Sequence, residues 1–152
     1  MRPADLFGQA RRLAAASPKR PRDVDLRRAV SAAYYGLFHT LAHAGSDLLV
    51  GKTHRTEKAW RQVYRALQHG ELKSRCEALP AGFAPHFVDI ADTVVELQKL
   101  RHEADYDPTA VFRRADVQSH ILKAETSVAA FTASAAAEQR AFVVWLLFPN
   151  RR

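Results

Sequence analysis

One segment, residues 23–51, constrains the fold more than any other part of the chain. Its apolar residues recur every three or four positions over about eight turns, which is the repeat of an α-helix rather than of a β-strand. On a helical wheel, one side carries large apolar residues and the other carries small ones. The large residues are Val30, Tyr34, Leu37, Phe38, Leu41 and Leu48, and the small residues are Ala29, Ala32, Ala33 and Gly36. This pattern predicts a central helix that a neighbour approaches closely on its small side.

The other segments repeat the helical pattern, and none alternates polar and apolar residues long enough to predict a sheet. The expected helices, besides residues 23–51, are residues 3–16, 54–69 with a short continuation to 79 after Gly70, 84–105 and 111–139. Amphipathic helices joined by short connectors favour a bundle. We therefore predict an all-α, up-and-down antiparallel bundle of about five helices, forming a single domain over residues 1–152.

Prolines and aspartates predict the ends of these helices. Ser17-Pro18 and Asp107-Pro108 are expected to stop the first and fourth helices, because a residue before proline is disfavoured in the helical region. Asp23 or Asp25 is expected to cap the second helix at its N-terminus.

The segment 137–152 is a possible C-terminal extension, and it contains the longest apolar run, AFVVWLLF at residues 141–148. This run is suited to continuing the last helix, to forming an edge strand, or to contacting another chain. Packing back on the bundle is the interpretation that we favour.

Several features are those expected of a cytoplasmic protein. Cys76 is the single cysteine, which excludes a disulfide framework within one chain and suits a reducing compartment. The N-terminal MRPADLFGQARR lacks the apolar core of a signal peptide, and no stretch approaches the roughly 20 apolar residues that span a bilayer. We therefore expect no membrane association.

The charge balance favours a polyanionic partner. The chain has 23 basic and 16 acidic side chains, a formal net charge of +7. Such an excess is typical of proteins that bind RNA or an acidic protein. Solvated, arginine-rich helix faces produce the same balance, so the charge alone does not distinguish these alternatives.

The stretch LRHEADYDP, residues 100–108, ends the fourth helix in an unusual way. Arg101 and Asp105 continue the apolar stripe that begins at Phe87, and their i, i+4 spacing lets them touch. One interpretation is an ion pair that closes the end of the bundle, which is the more common arrangement. The other is a charged pair that faces a groove, with His102 and Tyr106 beside it.

Two further groups of residues are candidates for binding. His39 and His43 have the i, i+4 spacing of zinc-binding histidines, but the sequence lacks the intervening glutamate and a clear third ligand. We therefore predict no metal site. Basic residues between 52 and 65 are placed to contact a phosphate backbone. In the same region Trp60 and Tyr64 are candidates for base stacking, although packing of these aromatic residues into the protein is favoured.

The segment RRAVSAAYYGLFHTLAHAGSDLL, followed by His54 and then by LRHEADYDP, resembles the HEPN superfamily. The similarity is greatest to the branch whose second helix reads like SRAYYAxFH and whose later helix reads like RxxADY, and it covers approximately residues 5–133. The resemblance implies an all-α bundle, often a homodimer, without a cofactor and frequently encoded beside a small nucleotidyltransferase. Many members are metal-independent ribonucleases, or RNA binders derived from them, in bacterial toxin–antitoxin or defence pairs.

The ribonuclease motif of this family is an arginine, a polar residue and, some residues later, a histidine. Arg101 and His102 match its first two positions, but Tyr106, Asp107 and Pro108 occupy the stretch where the histidine is expected. RNA cleavage without a metal needs a group that takes the 2′-OH proton and another that protonates the leaving oxygen. The missing histidine therefore favours RNA or nucleotide binding over cleavage. In some members a partner nucleotidyltransferase adenylylates a tyrosine near the motif, a role for which Tyr106 is the candidate.

The sequence thus predicts a HEPN-type protein that associates with RNA or a nucleotide, as the toxin-like half of a pair with a nucleotidyltransferase. The candidate catalytic residues are Arg101, Asp105, Tyr106 and His102, and the candidate nucleic-acid contacts are Tyr35, His39, Lys52, His54 and Arg55. The alternative is a catalytically silent helical interaction module that docks an acidic protein partner.

Overall fold

Seven α-helices form the protein, for which a computed structural model describes residues 1–150. They are α1 (Pro3–Ala15), α2 (Asp23–Leu49), α3 (Lys58–Ala66), α4 (His69–Glu77), α5 (Pro85–Tyr106), α6 (Arg114–Ala133) and α7 (Ala136–Leu147). A 3-10 turn, Lys52–His54, follows α2, and residues 1–150 contain no strand. The all-α class is confirmed, whereas the expected number of helices, about five, is too low.

The two extra helices arise because two expected helices are each divided. The chain becomes extended at Leu67 and Gln68, between α3 and α4, and Gly70 lies within α4. It becomes extended again at Ser134 and Ala135, between α6 and α7. The predicted break at Gly70 and the predicted continuous helix over 111–139 were therefore both wrong. Neither observed break contains glycine or proline, the residues from which a break is usually predicted. Burial of the Leu67 side chain holds the first break against the core.

The expected cap of α2 is also wrong. Arg22 occupies the N-cap position without a side-chain cap, and Asp23 and Asp25 lie in the first turn. The Asp25 carboxylate instead accepts two hydrogen bonds from Arg22, of 2.8 and 3.0 Å. Both aspartates still lie at the positive end of the helix dipole, where carboxylates stabilise a helix.

The second helix is central, as predicted. It contacts α1, α3, α5, α6 and α7, and both its large-residue side and its small-residue side are buried. On the small side, α1 packs so closely that a Cβ atom at Gly36 would lie 2.7 Å from Cζ of Phe7. Glycine at this position is therefore required by the approach of the Phe7 ring.

Neighbouring helices run antiparallel. Arg27 and Ser31 near the start of α2 contact Ala104 and Asp105 near the end of α5, and Tyr34 lies beside Arg101, one turn earlier in α5. Helices α5 and α6 are also antiparallel, because Glu96 contacts Lys123 while His86, earlier in α5, contacts Ser134, just after the end of α6. The start of α2 and the end of α5 therefore form one end of the bundle.

Two arginines bind the C-terminal ends of helices. Arg27 donates to the carbonyl oxygens of Ala104, Asp107 and Ala110, at 3.1, 2.7 and 2.7 Å. Arg114 donates to four carbonyl oxygens at the end of α1. The last carbonyl groups of a helix have no partner within the helix, so each guanidinium satisfies them and offsets the negative end of the dipole.

The C-terminal apolar run forms α7 and packs back on the bundle, which is the favoured interpretation. Phe142, Val143 and Leu146 are buried, and α7 contacts α2 and α4. Arg75 of α4 and Trp145 exchange two hydrogen bonds between side chain and backbone, with the guanidinium 3.4 Å from the ring centroid. No helix within residues 1–150 has the length and apolar character of a membrane-spanning segment.

Candidate functional site

Arg101 lies on the inner side of α5, where α2, α4 and α5 meet. Its side chain is 13% exposed, and its Cζ atom lies 5.3 Å and 5.9 Å from the ring centroids of Tyr34 and Tyr35. The two tyrosines therefore cover one face of the guanidinium and hold it by cation–π contacts. Desolvation on this side strengthens the electric field that the guanidinium exerts on its open side.

Asp105 orients the guanidinium from the next turn of α5. One carboxylate oxygen lies 3.3 Å from Nη1 of Arg101, and the other accepts a 2.8 Å hydrogen bond from the Ser31 hydroxyl of α2. The side chain of Asp105 is 34% exposed. Because only one Arg101 nitrogen contacts this carboxylate, the guanidinium keeps donors for another acceptor.

A small hollow of about 420 Å³ opens beside Arg101. The residues that line this Arg101 hollow are Lys73, Gln98, Lys99, Arg101, His102 and Glu103. Nε of Arg101 and Oε1 of Gln98 are buried and have no hydrogen-bond partner among the described residues. Lys73 also pairs with Glu77 at 3.7 Å. Three cations against the one carboxylate in the lining still make this hollow suited to an anion.

His69, at the start of α4, joins the site although the sequence did not indicate it. Its Nδ1 atom lies 2.7 Å from the Tyr34 hydroxyl, and its ring stacks on Phe38 with the centroids 4.2 Å apart. Burial lowers the pKa of His69, and the Arg101 guanidinium lowers it further. The imidazole is therefore neutral near pH 7, with Nδ1 engaged by Tyr34, itself buried with a raised pKa.

His102 and Tyr106 lie on the outer side of α5. Their rings contact each other, with the centroids 4.8 Å apart, and Tyr106 is 68% exposed. His102 borders the Arg101 hollow, whereas no hydrogen bond in the described residues directs the Tyr106 hydroxyl towards Arg101. Of the four candidate catalytic residues, Arg101 and Asp105 contact each other directly, and His102 lies at the rim.

Tyr35 and His39 continue the site along α2. The Tyr35 ring stacks on His39, and Nδ1 of His39 is hydrogen-bonded to the Tyr64 hydroxyl of α3. Burial lowers the pKa of His39, and the neighbouring His43 and His69 lower it further. Tyr64 in turn stacks on Trp60, which is buried. Trp60 thus packs inward, and its ring is unavailable as a platform for a base.

Lys52, His54 and Arg55 are exposed and lie beyond the C-terminal end of α2. About 15 residues of helix separate them from Tyr35, a distance of roughly 22 Å. Arg55 donates two hydrogen bonds to Asp47, of 3.0 and 2.6 Å, and His54 pairs with Glu57. The nine candidate residues therefore form two groups at different places on the bundle, and the sequence pattern had not separated them.

Residues 1–150 contain no cluster of three or more His, Cys, Asp or Glu side chains arranged to hold a metal ion. His39 and His43 instead contact aromatic rings of α3.

Sequence reasoning missed His69 and Tyr34 as parts of the site. Tyr34 was assigned to the core stripe, and it does lie in the core, but its hydroxyl reaches His69 at the edge of the site. The sequence placed the helix break at Gly70, after His69, whereas the observed break precedes His69. A helical wheel of the predicted helix therefore could not show which way the His69 side chain faces. No local sequence pattern predicts that a histidine of one helix, His69 of α4, will lie near an arginine of another, Arg101 of α5.

Comparison of the chain with protein-family models, with curated proteins and with solved structures gives no match.

Proposed function

We propose that this chain is a HEPN-type protein that binds RNA or a nucleotide through a phosphate group in the Arg101 hollow. The observation that carries this proposal is the position of Arg101, whose side chain is 13% exposed at a hollow that Lys73 and Lys99 also line. A phosphate oxygen is the acceptor that best matches a guanidinium fork. The contacts of Asp105 and the two tyrosines hold the fork in place before the ligand arrives.

His69 supports a ribonuclease activity next to Arg101, although it is not one of the residues that line the Arg101 hollow. Its imidazole and the Arg101 guanidinium both lie within 6 Å of the Tyr34 and Tyr35 rings. Nε2 of His69 accepts a proton in the tautomer whose Nδ1–H donates to the Tyr34 oxygen, and this proposal requires that tautomer. In a cleaving enzyme, His69 would take the 2′-OH proton, Arg101 would stabilise the charge on the phosphorus centre, and a water molecule would protonate the leaving oxygen.

The cellular setting that we propose is the one implied by the resemblance. The protein acts in the cytoplasm as a homodimer and pairs with a nucleotidyltransferase in a toxin–antitoxin or defence system. The exposed hydroxyl side of Tyr106 supports a role as a site of adenylylation by that partner. Light scattering of the purified chain tests the dimer, and mass spectrometry after incubation with the partner and ATP tests Tyr106 against Tyr106→Phe.

Labelled single-stranded RNA and purified protein, with metals chelated, test the proposal directly. We expect Arg101→Ala to weaken binding at least about tenfold, because a charge-assisted contact contributes about 1.5–3 kcal/mol. Arg140→Ala, which removes an exposed arginine of α7, is the matched control and leaves affinity unchanged. Equal affinity of the wild type and Arg101→Ala would contradict binding in the hollow.

The same reactions distinguish cleavage from binding. Products that appear with the wild type and disappear with both Arg101→Ala and His69→Asn would support a ribonuclease. Binding without products, on RNAs of varied sequence, would support a binding protein.

A basic edge of α3 favours the second candidate function, an interaction module for an acidic protein. Lys58, Arg61 and Arg65 are exposed, and none of them forms a salt bridge within the described residues. Charge reversal at Arg61 and Arg65 would abolish a complex with such a partner while leaving RNA binding by the Arg101 hollow unchanged. A partner that binds the reversed variant equally well would exclude this surface.

A further inference from the structure

A second cavity, of about 660 Å³, lies at the opposite end of α2 from the Ser31–Asp105 contact. It is bounded by the start of α1, the second half of α2, the 3-10 turn, the end of α6 and the start of α7. About nine residues of α2 separate its nearest lining residue, Thr40, from Ser31, or roughly 13 Å. We propose that this cavity binds a nucleoside monophosphate, independently of the function proposed for the Arg101 hollow.

The cavity has the charge required for a phosphate group. Its cationic side chains are Arg2, Lys52 and Arg55, and its single carboxylate is Asp47. The Asp47 oxygens already accept hydrogen bonds from Arg55 and from Nε1 of Trp60. Asp47 and Arg55 therefore neutralise each other, and Arg2 pairs with Asp5 at 3.2 Å. Lys52 forms no salt bridge within the described residues and supplies the positive potential of the cavity.

Hydrogen-bond acceptors line another part of the wall. The hydroxyl groups of Thr40 and Thr132 donate to the carbonyl oxygens of Gly36 and Val128, each at 2.8 Å. Their remaining capacity is to accept hydrogen bonds. The amide nitrogen of Gln139 donates to carbonyl oxygens at the end of α6, which leaves its Oε1 as an acceptor. These groups are satisfied by N–H or O–H donors on the ligand. Inorganic phosphate carries few such donors at neutral pH, about one O–H group per ion.

The floor and the size of the cavity fit the body of such a ligand. Ala44, Leu48 and Phe131 supply an apolar surface on which a flat base or a sugar ring can pack. Burial lowers the pKa of His43, so its ring adds a polar contact without adding charge. Cations, acceptors and an apolar floor in one cavity match a phosphate, a hydroxylated sugar and a base in one molecule.

Calorimetric titration of the full chain with AMP tests the proposal. We expect one AMP per chain, with adenosine and inorganic phosphate each binding at least about tenfold more weakly, because each lacks one set of contacts. Lys52→Glu is expected to weaken AMP binding at least about tenfold. Lys19→Glu makes the same change at an exposed lysine outside the cavity and is expected to have no effect.

A second pair of variants tests the acceptor wall. Thr40→Val removes an acceptor and is expected to weaken AMP binding about fivefold without affecting inorganic phosphate. Thr93→Val removes a comparable hydroxyl that donates within α5, and it controls for the effect of the substitution on the helix.

Three results would overturn the inference. The first is no heat of binding with AMP at millimolar concentration, and the second is equal weakening by Lys52→Glu and Lys19→Glu. The third is AMP binding that Arg101→Ala abolishes and Lys52→Glu does not, which would assign the nucleotide to the Arg101 hollow and so favour the proposed function. Loss of RNA binding in Arg101→Ala with unchanged AMP binding would instead support both sites.

Discussion

At the scale of single residues, three histidines of one cluster are held in their neutral form. Burial is the largest cause of the lowered pKa of His39, His43 and His69. Each one contacts aromatic rings, and two of them, His39 and His69, are paired with a tyrosine hydroxyl. Their charged forms are therefore disfavoured in the folded protein and permitted in the unfolded chain.

This difference predicts how stability depends on pH. The pKa of each folded histidine lies below the unfolded value of about 6.5, so the unfolded chain binds more protons just below that pH. The contribution of these neutral histidines to the free energy of unfolding is complete above about pH 6.5. It is lost as the pH falls from there through the folded pKa values. Each histidine contributes a slope of at most about 1.4 kcal/mol per pH unit.

Urea unfolding followed by circular dichroism at pH 7.5, 6.5 and 5.5 measures this dependence. We expect His43→Asn to reduce the slope, and His102→Asn, at an exposed histidine outside the cluster, to serve as the control. A free energy of unfolding that stays constant from pH 7.5 to 5.5 would contradict the prediction.

The same scale shows what a sequence can and cannot indicate about the site. The helical wheel identified Arg101 and Asp105 because their position on the apolar stripe, where charged residues are unusual, is a property of one helix. The contact between His69 and Tyr34 depends on how α4 packs against α2, which no spacing within either helix encodes. The orientation of the Trp60 ring into the protein followed from its place on the apolar side of α3.

At the scale of helices, the contact between α1 and α2 depends on Gly36. Gly36→Ala would place a methyl group 2.7 Å from Cζ of the buried Phe7 ring. We expect this change to lower the free energy of unfolding by about 1–3 kcal/mol, because a packed aromatic ring cannot move aside without strain. Chemical denaturation measures the effect.

A matched control lies in α1. At Gly8, the nearest atom to an added Cβ is the flexible tip of Arg12, at 3.4 Å, so Gly8→Ala is expected to stabilise by about 0.5–1 kcal/mol. Phe7→Leu should recover part of the loss in a double variant with Gly36→Ala. If both glycine substitutions had the same effect, the close approach of the helices would not be the cause.

The end of α1 depends on a residue that is distant in sequence. Arg114→Ala removes hydrogen bonds to the carbonyl oxygens of Ala14, Ala16, Ser17 and Pro18, of 3.0, 2.9, 2.6 and 2.6 Å. We expect a loss of roughly 2–4 kcal/mol in the free energy of unfolding. Arg113→Ala, at the exposed neighbour, is expected to change it by less than about 0.5 kcal/mol. Thermal unfolding that ranks the two variants equally would contradict a role for Arg114 at the helix end.

The positions of the helices were more predictable than their interruptions. Pro3 and the Asp107-Pro108 pair mark ends that local sterics impose, and the observed helices begin or end within about one residue of them. The breaks at Leu67-Gln68 and Ser134-Ala135 involve residues compatible with a helix. Tertiary contacts produce these breaks, such as burial of Leu67 and the packing of α7 against α2 and α4.

At the scale of the whole molecule, the net charge of +7 predicts that the proposed RNA binding depends on salt. If Lys73, Lys99 and Arg101 each contact one phosphate, the logarithm of the affinity falls with the logarithm of salt concentration with a slope of about −2. Arg101→Ala is expected to reduce the slope by about 0.7, and Arg140→Ala is expected to leave it unchanged. Fluorescence anisotropy between 50 and 300 mM salt, on the order of the physiological range, measures it. Identical slopes for all three proteins would argue against phosphate contact by Arg101.

The overall architecture follows from repeated features that the whole sequence shares, which is why the all-α class was predictable. One buried cluster joins residues of every α-helix except α3, and the long apolar helix α2 provides its centre. The number of helices and the separation of Tyr35 from Lys52 along the bundle required the folded arrangement.

The position of α7 has a consequence for biosynthesis. The ribosome makes this helix after the other six, yet Phe142, Val143 and Leu146 complete the buried cluster. A nascent chain that already contains α1–α6 therefore still exposes an apolar surface on α2 and α4. Folding must finish only after residues 136–147 leave the exit tunnel, and until then the growing polypeptide is a natural client for chaperones that shield such surfaces.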